Sequence, residues 1–90
     1  MNGIEAFIVG SVKYLGKERW TIRGRACEDI SLGDILEHDL ESTNGNTKLE
    51  VLSVSSYGRE VTTLYKMMTG LIVVSVKQEC ELDNVKMLFK

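Results

Sequence analysis

The sequence predicts an all-β protein, a small sandwich or barrel, and three observations carry that reading. Residues 19–26 alternate without exception, with Trp20, Ile22, Gly24 and Ala26 on one face and Arg19, Thr21, Arg23 and Arg25 on the other. That is the period-2 signature of a strand with one buried side. Glycine and polar turn segments recur between apolar, β-branched runs along the chain, as in folds built from short strands. Only one decapeptide carries helical spacing. At 90 residues, with 43% hydrophobic and 27% charged side chains, the chain reads as one domain, 1–90, whose core is one layer deep.

Residues 6–13 are apolar and β-branched and form the first strand. Leu15-Gly16-Lys17-Glu18 supplies a glycine at turn spacing, so that strand and 19–26 pair as an antiparallel hairpin. Ser31-Leu32-Gly33-Asp34 is a second turn, feeding a short strand at 35–38. The polar run 41–47, whose Asn44-Gly45 suits positive φ, reads as an exposed loop, and a strand follows at 48–55. Segment 59–68 stays open between helix and strand. Val61, Leu64, Tyr65 and Met68 fall at helical spacing with Gly70 placed like a cap, whereas Val61-Thr62-Thr63 is β-branched and the segment is short; strand is preferred. Strands at 71–76 and 84–89 bring the total to six or seven.

Phe7-Ile8-Val9, Thr21-Ile22-Arg23-Gly24-Arg25-Ala26, Ile30-Ser31-Leu32-Gly33-Asp34-Ile35-Leu36, Leu49-Glu50-Val51 with Val54, Tyr57-Gly58-Arg59-Glu60-Val61, then Leu64 and Met68-Thr69-Gly70-Leu71, and last residues 83–88, follow one another along the chain. This order resembles the second domain of elongation factor Tu and related translational GTPases. The resemblance implies a stand-alone, six- to seven-stranded antiparallel Greek-key-like barrel. Its most specific piece is Gly24-Arg25 followed by Gly33-Asp34, the first pair closing a strand and the second turning into the next, which are fold-specifying roles. The chain departs from the family at 29–31 and at Met67, where glycines are usual. In elongation factor Tu the domain helps hold the aminoacyl end of tRNA through an acidic and aromatic stretch. This chain reads Gly10-Ser11-Val12-Lys13 there, so that role does not carry over. No nucleotide is expected either: Gly10 to Gly16-Lys17 has one residue too many for a phosphate-binding loop, and Glu18 stands where a hydroxyl is needed.

Eleven Lys and Arg against thirteen Asp and Glu give a charge of −2, so no overall field gathers nucleic acid or anionic lipid. The chain shows no signal-like leader and no apolar run long enough for a bilayer; a cytoplasmic protein with no membrane partner is expected. Cys27 and Cys80 could pair once, but a reducing compartment favours two free, half-buried thiols. With the single His38 they lack the close-spaced ligand pairs of a zinc site. No metal or cofactor is implied. One histidine, no nucleophile elbow and solvated carboxylates argue against an enzyme.

The most localised charge feature is the cluster Lys13, Lys17, Arg19, Arg23 and Arg25, broken only by Glu18. It is the candidate binding face. Guanidinium groups in a row grip phosphates or a partner's carboxylates; alternatively they are a solvated strand face neutralised by acids such as Glu28 or Glu37, since 28–41 holds six acids and no base. Trp20 is expected in the core and His38 exposed. Met67 and Met68, with Leu64 and Tyr65, fill the core or form a soft apolar patch. The resulting expectation is a non-enzymatic module that docks a protein partner. The alternative is an RNA-binding accessory using Arg19, Arg23 and Arg25. Oligomeric state is left open.

Overall fold

The computed structural model describes residues 4–38, 48–76, 82 and 85–90. The loop expected at 41–47 with its Asn44-Gly45 turn, and Cys80, lie outside the described residues. The described chain is all β, with no helix among the described residues. Its strands are β1 (Glu5–Gly16), β2 (Arg19–Ala26), β3 (Ile30–Ser31), β4 (Ile35–His38), β5 (Lys48–Ser56), β6 (Arg59–Val61), β7 (Thr63–Leu64), β8 (Thr69–Val76) and β9 (Met87–Phe89).

Seven strands form one sheet in the order β4-β9-β1-β2-β8-β5-β6, and a further β4–β5 pairing closes six of them into a ring. Every neighbouring pair is antiparallel, which a closed ring allows because six is even. Closure removes the open edges that an unrolled sheet would expose. The chain leaves β2, builds β4 and β5 on the far side, and returns as β8 between β2 and β5, giving the Greek-key-like order. β6 extends β5 outside the ring, and β3 pairs only with β7.

Rolling so few strands into a ring demands strong local bending, which bulges provide. The register shifts leave Ala6 extra against β9, Gly10 and Leu15 extra against β2, and Leu52 extra against β8. Each bulge also resets which side chains face inward. Phe7 is buried, yet beyond Gly10 it is Val12, not Ser11 or Lys13, that packs against the core. The core gathers Phe7, Trp20, Ile22, Leu36, Leu49, Ile72 and Leu88 from all six strands of the ring. Trp20 keeps only 7% of its surface exposed and packs its ring 5.1 Å from that of Tyr14, tilted by 56°.

Segment 59–68 is neither the helix left open by its spacing nor one strand. It breaks into β6, a bend at Thr62, β7, and a turn in which the Met68 amide donates to the Tyr65 carbonyl at 2.9 Å. The β-branched run favours extended backbone, and the Asp29 carboxylate accepts from the Lys66 amide at 2.8 Å, fixing the turn. β3 was not foreseen, being too short to show a period. The closing strand is limited to Met87–Phe89, and ahead of it the Val85 amide donates to Leu82 O at 3.1 Å; Asn84 lies outside the described residues. The Ser31-Leu32-Gly33-Asp34 turn is present, held by the Ser31 amide donating to the Asp34 carboxylate at 2.8 Å.

Both tight hairpins use two-residue turns with left-handed backbone at both positions, Lys17 and Glu18 at φ 54° and 65°, Tyr57 and Gly58 at φ 53° and 77°. Such turns match the strand twist and prefer glycine at the second position. Glu18 is therefore strained, whereas Gly58 is not. Glu18→Gly is expected to stabilise the fold by about 0.7 kcal/mol, the relief of left-handed strain outweighing the added chain entropy. A rise of roughly 4 °C in Tm by calorimetry is the check; a fall would show that the turn is unstrained.

Candidate binding face

The outer face of β1, β2 and β8 is assembled in rows across the strands. Arg25 lies between Ile8 and Thr69, Arg23 between Ser11 and Leu71, Thr21 between Lys13 and Val73, and Arg19 between Gly16 and Ser75. Because Trp20, Ile22 and Ala26 turn inward, the three arginines between them are exposed. Strand geometry spaces Arg23 and Arg25 by about 7 Å and spreads Arg19 to Arg25 over roughly 20 Å. Lys13 joins this face only through the Gly10 bulge; counting by twos from Phe7 would turn it into the core. Lys17 sits in the hairpin turn beyond Arg19, at the end of the face. The structure thus brings Lys13, Arg19, Arg23 and Arg25 together and leaves Lys17 at their margin.

Among the described residues the acids that follow β2 do not neutralise the cluster. Glu28 pairs with Lys66 at 4.0 Å and Asp34 with Lys90 at 3.2 Å, while the Asp29 carbonyl accepts from Lys90 Nζ at 2.7 Å. Among the described residues none of the five cations meets an acid. The reason is topological: after β2 the chain turns into β3, which pairs with β7, and so carries these acids to the Lys66 turn and to Lys90 instead of along β2.

Where Arg23 and Leu71 share a row, the sheet opens. Ser55↔Leu71 is the last paired position of β5 and β8; beyond it β5 enters the Tyr57-Gly58 turn. The parting leaves a groove of about 280 Å³ lined by Arg23, Ser55, Tyr57, Thr69 and Leu71 over the backbone of Gly70. Ser56 Oγ donates to the Thr69 carbonyl at 3.1 Å and Ser55 Oγ to the Leu71 carbonyl at 3.5 Å, tying the two strands beside the groove. Tyr57 is 91% exposed. The groove therefore joins a guanidinium group, hydroxyls, an aromatic ring and an aliphatic wall. Sequence reasoning found Arg23 but missed the rest. The available signal was Tyr57-Gly58 between a strand and a β-branched run, which marks a hairpin tip.

The remaining expectations resolve as follows. Cys27 is a free, half-buried thiol. His38 is not exposed: it is half-buried, and neither ring nitrogen meets a hydrogen-bond partner among the described residues. The strand expected at 35–38 is present as β4, which ends at His38 opposite Leu88 of β9. The methionine segment divides, with Leu64 buried and Met68 against the core, while Tyr65 and Met67 are exposed. Among the described residues no three His, Cys, Asp or Glu side chains gather as a metal site, and no helix is long and apolar enough to cross a membrane. Comparison with known proteins finds no family model that matches the chain and no matching curated protein.

Proposed function

We propose that this protein is a non-enzymatic binding module of the cytoplasm, a translation-factor-like β-barrel that docks a protein partner through the outer face of β1, β2 and β8. The observation that carries the reading is the line of Arg19, Arg23 and Arg25, without acidic partners among the described residues and interleaved with Ile8, Leu71 and Val73. Exposed arginine and tyrosine beside aliphatic side chains are what the centres of protein interfaces use. The likeness to a translation-factor domain points the same way, since such barrels work as docking surfaces. RNA binding is the second reading, favoured by Tyr57 and Arg23 lining one groove, a stacking ring beside a guanidinium group.

Site-specific photo-crosslinking at position 71, with position 60 as control, separates the two. The docking reading expects a protein adduct formed only from position 71, identified by mass spectrometry, and weakened about tenfold or more by Ile8→Asp when the complex is reconstituted. RNA binding instead expects affinity for mixed-sequence RNA that falls steeply with salt and is lost in the Arg23→Glu, Arg25→Glu double variant. A flat RNA titration at low salt eliminates the second reading; no adduct from position 71 eliminates the first.

A further inference from the structure

We infer that the groove beside Arg23 is a pocket for a single acidic side chain, and that the partner's recognition element is an extended segment with acids at alternate positions. This rests on the docking reading above. Three observations define the occupant.

Size comes first. A groove of about 280 Å³ lies at the lower edge of small-molecule sites, roughly 300 Å³ and upward, and has ample room for a glutamate side chain. Its lining comes second. Leu71 and the Tyr57 ring offer carbon, while Arg23 and Thr69 offer donors. That combination suits a group with a methylene stem and an anionic end, as in glutamate. Arg23 meets no acid among the described residues, so its forked donors are free to take a carboxylate in two parallel hydrogen bonds.

Spacing comes third. Arg25 follows on the same face about 7 Å along β2, the distance between alternate side chains of an extended chain. A segment of the form Glu-x-Glu laid over the face sets one carboxylate at Arg23 and the next at Arg25. A polyanion such as RNA fits less well, because Ile8, Leu71 and Val73 would face its phosphates and the net charge of −2 gives it no long-range attraction.

The test titrates a fluorescein-labelled dodecapeptide of alternating Glu and Thr, its Gln-Thr counterpart and a dodecamer of uridine RNA against the full chain, reading anisotropy and backbone amide NMR shifts. The glutamate peptide is expected to bind with shifts at Ser55, Thr69 and Gly70, and the glutamine peptide about tenfold or more weakly. Arg23→Gln and Tyr57→Ser should each weaken binding about fivefold or more with the dispersed spectrum retained, and Lys48→Gln, remote from the groove, should leave it unchanged. Arg23→Lys is expected to fall nearer to Arg23→Gln than to the parent, because an ammonium group lacks the fork. Equal binding of the two peptides, indifference to both groove variants, or tighter binding of the RNA at the same amides overturns the inference. If the position-71 adduct persists while the peptides fail, the pocket assignment falls and the docking reading stands; if the adduct is absent, both fall.

Discussion

Gly24→Ala is expected to cost about 3 kcal/mol or more, a large share of the stability of a domain this small. A Cβ there would stand 1.9 Å from the Ile8 carbonyl oxygen, 2.8 Å from Phe7 Cε2 and 3.0 Å from the Ile8 carbonyl carbon. The nearest obstacle is backbone of β1, so no side-chain rotation relieves it; the β1–β2 ladder itself must shift. Across the β2–β8 ladder, Gly24 is paired with Gly70, where a Cβ would meet the Ser55 carbonyl oxygen at 2.5 Å and Leu64 Cδ1 at 2.7 Å. The two glycines together let β1 and β5 approach from either side while Phe7 and Leu64 fill the space beneath. Gly33→Ala provides the contrast. Nothing lies within 4 Å of its Cβ position, so it pays only for left-handed backbone, about 1 kcal/mol. Urea denaturation of the two variants decides the matter. Equal losses would mean that close approach is not the reason for Gly24, and recovery of Gly24→Ala by Phe7→Leu would mean that the backbone oxygen is not the obstacle.

This glycine also shows how far the sequence speaks. Its place in the β2 alternation and its fold-specifying role were legible, because β2 has one buried and one exposed face and no bulge interrupts its period. The Ile8 carbonyl that forbids a side chain was not legible, since it belongs to another strand. β1 has the same composition as a regular strand, but the bulges at Gly10 and Leu15 change its phase twice, and only the paired register reveals that Lys13 faces outward. Segment 59–68 was ambiguous because β6 and β7 are each too short to establish a period. The candidate face was half visible. Its cations are consecutive in pattern along β2, whereas the groove joins residues 23, 55, 57, 58 and 69–71 through non-local pairing. The fate of the acids in 28–34 depends on where β3 pairs, which their spacing does not encode.

Leu88→Ala is the second large effect, and its signature is where the barrel opens. β9 has three residues and is the link of the ring between β1 on one side and β4 on the other. Leu88 is its fully buried side chain, opposite Phe7 on β1 and His38 on β4. Truncation to alanine removes about 3 kcal/mol through lost burial and the cavity left behind. A comparable loss follows from Ile72→Ala in β8, yet the two should differ in kind. β8 is bracketed by the eight-residue β2 and nine-residue β5, so loosening it leaves both neighbours joined elsewhere. β9 holds its neighbours through few bonds, among them the Val9 amide to Lys86 O at 2.9 Å and the reciprocal Ile4–Lys90 pair at 3.0 and 2.8 Å. Weakening β9 therefore favours a partly open state in which β1 and β4 present free edges. Native-state hydrogen exchange is expected to show the Val9 amide accelerated about tenfold more than the Ile22 and Val74 amides in Leu88→Ala, and no such excess in Ile72→Ala. Uniform acceleration in both variants would show that the ring opens only by unfolding as a whole, and that closure by β9 is no weaker than any other seam.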